Sequence, residues 1–189
     1  MSLVFVTFEG IDGCGKTTLA EAVVGVMGDR AYLTHEPRYL KPSLKDPLAL
    51  AFLFIADRAE HAIEIRDAQK RYDYVLCDRY SDSTYAYQGV LIAESHGMSL
   101  NEAVGLLKRA HTLIDLPVPD MTFLIDLDPE EARSRKDEGF DPELVREVRE
   151  AYLSLAQSEK RIMVLDGRKS TEDLCCEALS AMELFSSGL

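Results

Sequence analysis

The stretch Gly10-Ile11-Asp12-Gly13-Cys14-Gly15-Lys16-Thr17-Thr18 lies between two largely apolar segments, Leu3 to Phe8 and Leu19 to Val24. From Gly10 onward it follows the spacing G-x-x-x-x-G-K-[ST], in which a glycine-rich loop joins a strand to a helix. An ordinary glycine turn is the alternative, but the four fixed positions in this context favour a nucleotide phosphate site. The order of strand, loop and helix also predicts the start of a parallel α/β sheet.

The residue types of this loop fit the binding of phosphate groups. Its glycines let successive backbone N–H groups face inward and form an anion-binding nest. The helix that begins near Lys16 adds the positive end of its dipole. Lys16 would bridge the β- and γ-phosphates, and the hydroxyl of Thr17 would hold Mg2+. The expected phosphate-binding residues are Gly10, Asp12, Gly13, Cys14, Gly15, Lys16, Thr17 and Thr18.

Length and composition limit the possible classes of protein. The chain has 189 residues, which favours a single domain spanning residues 1–189. Its formal net charge of −12 argues against binding of a nucleic-acid backbone. No apolar run approaches the roughly 18 residues of a membrane span, and no signal peptide is expected. Four cysteines without metal-ligand spacing favour a reduced, cytoplasmic protein.

Strands and helices alternate along the chain, which predicts a doubly wound, five-stranded parallel sheet. The predicted strands are residues 3–8, 31–34, 74–77, 121–125 and 162–165. Helices are expected to begin near Lys16, Asp46, Ser81, Ser99, Asp128, Asp141 and Ser170. On the long second helix, the apolar stripe expected to pack on the sheet is Leu48, Phe52, Ile55, Ala59 and Ile63.

The third predicted strand ends in an acidic and a basic residue, Asp78 and Arg79. Ligands of parallel sheets bind at the carboxyl ends of the strands. Asp78 is therefore expected to bind Mg2+ directly or through water. Arg79 offers a guanidinium fork for a second phosphate. A local surface ion pair is the alternative, which the phosphate loop makes less favourable.

Two helical faces are candidates for a nucleoside cleft. Ser83, Thr84, Tyr87 and Gln88 share one face of the third helix. That face would either line the cleft or lie half exposed to water. On the second helix, Phe54 and Arg58 are one turn apart and would either stack on a base and bond its edge or contact each other.

A basic cluster follows the fourth strand, within a lid segment at about residues 129–142. Arg133, Arg135 and Lys136 lie there close to Gly139. These side chains would close over the phosphates and stabilise the charge of the transferred group. Ordinary ion pairs with neighbouring acidic residues are the alternative.

Together these motifs resemble the thymidylate kinase family, from Phe8 through the fourth strand and the lid segment. The matching pieces are Phe8–Gly13, Glu36–Tyr39, Leu53–Arg58, Asp78–Tyr80 with Ser83 and Ala86–Gly89, and Pro119–Leu124. The piece that starts at Asp78 is the most specific, because the phosphate loop alone matches many families. The resemblance implies a P-loop nucleoside monophosphate kinase that uses ATP and Mg2+ to phosphorylate dTMP, and it implies a homodimer.

The resemblance also implies an acceptor site for dTMP. Its members would be Asp12, Tyr39, Phe54, Arg58, Arg79, Ser83, Thr84 and Tyr87. Asp12 would lie near the sugar 3′-hydroxyl and the phosphate, Phe54 would stack on thymine, and Arg58 would bond the edge of the base. Arg79 would hold the acceptor phosphate, and Tyr87 would exclude a 2′-hydroxyl.

The catalytic arginine is expected in the lid segment. One branch of the family has an arginine after the aspartate of the phosphate loop, where this chain has Gly13. The chain resembles the other branch, so Arg133 and Arg135 join Lys16 and Arg79 as expected catalytic residues. Two alternatives stay open from sequence. One is a thymidine or other deoxynucleoside kinase with Glu36 as base, and the other is a low-turnover ATP-binding switch.

Overall fold

A parallel β-sheet forms the centre of the fold in the computed structural model, which describes residues 3–40, 43–136 and 141–188. Within those ranges its strands are β1 (Val4–Glu9), β2 (Ala31–His35), β3 (Tyr74–Asp78), β4 (Met121–Asp126) and β5 (Ile162–Asp166). Their order is β2-β3-β1-β4-β5, and every neighbouring pair is parallel. These strands confirm the predicted five-stranded parallel sheet.

Helices connect the strands and begin near the predicted positions, except that the segment from Ser81, predicted as one helix, is divided by a π-helix and resumes as an α-helix at Gly89. They are α1 (Lys16–Met27), α2 (Pro47–Gln69), α3 (Ser81–Ser83), α4 (Gly89–His96), α5 (Leu100–Thr112), α6 (Pro129–Arg135), α7 (Pro142–Ser158) and α8 (Thr171–Ser187). A 3-10 helix, Gly28–Arg30, follows α1, and a π-helix, Thr84–Gln88, joins α3 to α4. Backbone N–H groups donate to the predicted capping side chains of Asp46, Asp128, Asp141 and Ser170.

Both faces of the sheet are covered, as in a doubly wound fold. Side chains of a strand alternate between the two faces. Val6 of β1 packs in one cluster with Leu19 of α1 and Ala178 of α8. Phe5, the preceding residue, packs in another cluster with Ile65 of α2. The helices on opposite faces therefore bury consecutive residues of the central strand.

The predicted apolar stripe of α2 is wrong at two of its five positions. Phe52 and Ile63 are 51% and 54% exposed, although Ile55 is buried. The buried face of α2 instead includes Asp57 and Arg58. Hydrophobic periodicity missed this face because its polar side chains have partners elsewhere in the fold.

The order of the strands brings the segments that follow β1, β2 and β3 to the same end of the sheet. β3 lies between β1 and β2, and Asp78 pairs in register with both Phe8 and His35. The loops after these strands therefore meet at their carboxyl ends, where ligands of such sheets bind. In the part of the chain that the structure describes, no helix is long and apolar enough to cross a membrane.

Candidate active site

The glycine loop after β1 has the backbone geometry of an anion nest. Gly10, Gly13 and Gly15 all have positive φ angles, which glycine adopts without strain. A Cβ on Gly13 would lie 2.4 Å from the carbonyl oxygen of Ala132, so no larger residue fits there. The loop is therefore fixed both by its own dihedral angles and by the close approach of α6.

Lys16 lies at the start of α1 with its ammonium group directed into this loop. Nζ donates to the carbonyl oxygen of Ile11 at 3.1 Å and is 3.7 Å from a carboxylate oxygen of Asp12. Burial and the positive charge of Arg79 lower the pKa of Lys16. A phosphate anion at this position would relieve both effects by supplying a negative partner.

Thr17 and Asp78 form a pair of oxygen donors across the loop. The Thr17 hydroxyl donates to Oδ2 of Asp78 at 2.5 Å. Oδ1 of Asp78 is buried and has no hydrogen-bond partner in the described chain. These residues fit Mg2+, which binds few protein oxygens and completes its shell with water and phosphate. Among the described residues, no group of three or more His, Cys, Asp or Glu side chains could hold a metal ion.

Arg79 connects the phosphate loop to the helical segment after β3. Nη2 donates to Oδ1 of Asp12 at 2.7 Å, and Nη1 donates to the hydroxyl of Ser83 at 2.9 Å. Its backbone has a φ of +67°, which is unfavourable for a residue with a Cβ. Such strain is concentrated at functional sites, where the surrounding contacts maintain it.

A cavity of about 210 Å³ opens beside Arg79. Its walls contain Asp12, Glu36, Pro37, Phe54, Arg58, Arg79, Tyr80, Ser83, Thr84, Tyr87 and Gln88. The structure thus brings together seven of the eight residues predicted for the acceptor. The π-helix contributes three of the lining residues, in keeping with the frequent use of π segments at functional sites.

Tyr39 is the predicted acceptor residue that does not line this cavity. Its hydroxyl donates to Glu64 at 3.0 Å. The guanidinium of Arg38 also pairs with Glu64, at 2.8 and 2.9 Å. The carboxylate of Asp57 accepts the backbone N–H groups of residues 38, 39 and 40. The loop after β2 is therefore anchored to α2.

Arg58 belongs to a buried polar network at the wall of the cavity. It donates to Glu36 through Nε at 2.8 Å and through Nη2 at 2.5 Å. Nη1 lies 2.7 Å from Nε2 of His111, and His61 bonds the other oxygen of Glu36 at 3.0 Å. Burial and the charge of Arg58 lower the pKa of His111 to about 3. Sequence reasoning missed this network, although the three-residue step from Arg58 to His61 places both on one face of α2.

A wider cleft of about 770 Å³ adjoins the cavity and contains the phosphate loop. Both spaces are bordered by Asp12, Glu36 and Arg79. Arg135 and Lys136 of the basic cluster line the cleft as well. Nζ of Lys136 is 3.9 Å from Asp12.

The lid segment is only partly described. Arg135 lines the cleft and its Nη2 atom is 3.4 Å from the carbonyl oxygen of Gly167. Arg133 is exposed on the same helix, α6. Gly139, which the sequence analysis placed in the lid, lies outside the described residues. Of the two candidate arginines, Arg135 is therefore the one that borders the phosphate cleft.

A parallel sheet with a phosphate loop and two adjoining clefts is typical of a P-loop nucleotide kinase. A family model described as thymidylate kinase matches residues 8–177. The thymidylate kinase of Coprothermobacter proteolyticus is 35% identical and aligns over 82% of this chain and 86% of its own. The probable thymidylate kinase of Sulfurisphaera tokodaii is 38% identical over 90% of each chain.

A solved structure supports the same family. The crystal structure of thymidylate kinase from Ehrlichia chaffeensis superimposes with a TM-score of 0.74 at 28% identity, covering 97% of this chain and 100% of that one. The chain belongs to the thymidylate kinase family. It is a phosphotransferase, and its reaction converts dTMP to dTDP. The family thus agrees with the first interpretation of the sequence rather than with a nucleoside kinase or a switch.

Proposed function

We propose that ATP occupies the wide cleft and dTMP the smaller cavity, and that the γ-phosphoryl group passes between them beside Arg79. The supporting observation is that both spaces are bordered by the same pair, Asp12 and Arg79, whose side chains meet at 2.7 Å. A single domain of residues 1–189, with a lid at about 129–142, would contain the whole site. Catalysis of this kind depends mainly on positioning and on neutralisation of charge.

The acceptor would be recognised by its base, sugar and phosphate separately. Phe54 stacks on thymine, and Arg58 and Thr84 face the edge of the base. The pairing of Arg58 with Glu36 supports this role, because it prevents the guanidinium from rotating away. Tyr87 lies against the sugar, where a 2′-hydroxyl would collide with its ring. Arg79 holds the phosphate.

The donor phosphates would be held by the glycine loop, Lys16 and Arg135. Lys16 and Arg135 approach from the loop and from the lid segment, so together they neutralise charge on the transferred group. Closure of the lid would exclude water, which otherwise hydrolyses ATP. Thr17 and Asp78 would hold Mg2+, which shields the phosphate oxygens when bound. The unpartnered Oδ1 atom of Asp78 supports that assignment.

Two further properties belong to this proposal. A homodimer would cover the exposed apolar side chains of α2, Phe52 and Ile63, since exposed apolar patches mark interaction surfaces. Light scattering after gel filtration measures the oligomeric state. A cytoplasmic location is supported by the cysteines, Cys14, Cys77, Cys175 and Cys176, which are all free thiols.

The test is ADP production from ATP and Mg2+ with dTMP, dUMP, UMP and thymidine supplied separately. Turnover is expected with dTMP well above the other acceptors. Lys16→Ala should abolish turnover and leave the thermal unfolding temperature near that of the wild type, since Lys16 contributes to the site rather than to the core. Turnover with thymidine alone would contradict the proposal, and so would wild-type activity of the Lys16 variant.

A further inference from the structure

Glu9, the last residue of β1, is a fully buried carboxylate that the proposed reaction does not use. Its Oε1 atom accepts a hydrogen bond from the backbone N–H of Tyr80 at 2.7 Å. Its Oε2 atom accepts from the hydroxyls of Ser83 at 2.6 Å and Tyr152 at 3.0 Å. Desolvation of a carboxylate is unfavourable, so three donors directed at one buried group indicate a specific role.

The backbone at Arg79 is held by hydrogen bonds on both sides. Its φ of +67° is unfavourable for a residue with a Cβ, so the neighbouring contacts must maintain it. The N–H of Arg79 donates to the carbonyl oxygen of Phe8 at 2.9 Å. The next N–H, that of Tyr80, donates to Glu9. Glu9 therefore fixes the backbone turn at Arg79 and Tyr80, directly after β3.

The guanidinium of Arg79 contacts the same two hydroxyls that Glu9 holds. Nη1 of Arg79 is 2.9 Å from the oxygen of Ser83 and 3.5 Å from that of Tyr152. The two hydroxyl oxygens are also 2.9 Å from each other, so Glu9, Ser83, Tyr152 and Arg79 form one hydrogen-bonded cluster. Tyr152 lies on α7, the helix after the lid segment. The carboxylate thus joins β1, the turn after β3 and α7 around one guanidinium.

We propose that Glu9 is a positioning residue that holds Arg79 in the orientation needed to bind the phosphate of the acceptor nucleotide. The inference rests on the proposed function, which assigns the acceptor phosphate to Arg79. Glu9 acts through Tyr80, Ser83 and Tyr152 and does not itself line the acceptor cavity. Its loss should therefore weaken recognition of the phosphate group more than recognition of the nucleoside.

The electrostatic surroundings of Glu9 indicate which variant to use. Burial and the negative charge of Asp82 raise the pKa of Glu9 to about 7, while Ser83 and the charge of Arg79 oppose this shift. Asp82 is itself paired with Arg161 at 2.7 Å. The neutral form of Glu9 is thus accessible in the native protein, so Glu9→Gln should fold.

The experiment measures the affinities of dTMP and thymidine by calorimetry for the full chain. In Glu9→Gln the ratio of thymidine Kd to dTMP Kd should fall about tenfold, as expected for disturbance of charge-assisted hydrogen bonds. Thymidine and ATP affinities should stay at the wild-type values.

Tyr152→Phe removes one of the two hydroxyl links and should lower the ratio of thymidine Kd to dTMP Kd about threefold. Tyr74→Phe, which loses a hydroxyl contact to Ser186 far from the cavity, should leave it unchanged.

Arg79→Lys, measured in parallel, separates this inference from the proposed function. If Arg79→Lys lowers the affinity ratio and neither Glu9→Gln nor Tyr152→Phe does, the role of Glu9 is overturned while that of Arg79 stands. If Arg79→Lys itself leaves the ratio unchanged, the proposed role of Arg79 is wrong. Equal losses of dTMP and thymidine affinity in the Glu9 variant would make Glu9 a residue of general stability, which also overturns the inference.

Discussion

Arg58 and Glu36 form a buried ion pair at the wall of the acceptor cavity, with two guanidinium nitrogens 2.8 and 2.5 Å from the same carboxylate oxygen. Their side chains are almost inaccessible to water. The other carboxylate oxygen accepts a hydrogen bond from His61. Both oxygens of the carboxylate therefore have hydrogen-bond partners, and the pair fixes the guanidinium of Arg58 at the wall of the cavity.

The first prediction concerns Glu36→Gln. The change leaves the buried charge of Arg58 without its partner, and removal of one member of a buried pair typically destabilises a protein by about 3–5 kcal/mol. Urea unfolding should show a loss of that size. Glu177→Gln, which breaks an exposed pair with Lys169, serves as control and should change the free energy of unfolding by less than about 1 kcal/mol. Full stability with abolished turnover would instead make Glu36 a catalytic base.

His111 should make the protein sensitive to mild acid. Its Nε2 atom faces the permanently charged Arg58 at 2.7 Å, and its pKa is lowered from 6.5 to about 3. Between these two values the unfolded chain binds a proton that the native state does not. Falling pH therefore favours unfolding in that window.

The measurement for His111 is the free energy of unfolding from pH 8 to pH 4, for the wild type and for His111→Gln. The wild-type curve should fall more steeply than that of the variant below about pH 6.5, the usual pKa of histidine. Above that pH the curves should run parallel. Since Glu9 and other groups titrate in both proteins, only the difference between the curves reports on His111. Parallel curves over the whole range would contradict the prediction.

Much of the fold was predictable because its determinants are local. The spacing from Gly10 to Thr17 and the capping residues Asp128 and Asp141 act over a few residues, and the structure confirms the elements they predict. The alternation of strands with helices along the chain then predicts a parallel sheet. The roles assigned to the individual site residues stay predictions.

The buried polar contacts that the sequence did not predict join distant parts of the chain. Arg58 meets His111 across 53 positions, and Glu9 meets Tyr152 across 143. Neither pairing follows from periodicity, which describes one helix or strand at a time. The buried face of α2 was misassigned for this reason, because Arg58 is buried only where Glu36 is available. The position of Tyr39 outside the cavity also depends on a distant contact, because its loop bonds to Asp57 of α2.

Arg135 is predicted to act on turnover rather than on acceptor affinity. It borders the phosphate cleft but not the smaller cavity. Arg135→Ala should lower kcat about a hundredfold, the usual effect of removing one group that stabilises transition-state charge. The KM for dTMP should change little. Steady-state kinetics with Arg146→Ala, an exposed arginine paired with Glu130, provides the control. A rise in the KM for dTMP without a fall in kcat would make Arg135 a binding residue. A fall in kcat confined to Arg133→Ala would assign the catalytic role to Arg133 instead.

Tyr87 is predicted to select deoxyribose by the bulk of its ring. Its hydroxyl accepts a hydrogen bond from the backbone N–H of Asp12 at 3.1 Å, and the guanidinium of Arg79 lies 5.2 Å from the ring centre. These contacts fix the ring in the wall of the cavity. Tyr87→Leu should lower the preference for dUMP over UMP about tenfold, because it opens space for a 2′-hydroxyl. Tyr87→Phe keeps the ring and should retain the preference. If the phenylalanine variant loses discrimination as well, the hydroxyl and its bond to Asp12 select the sugar, and exclusion by the ring is wrong.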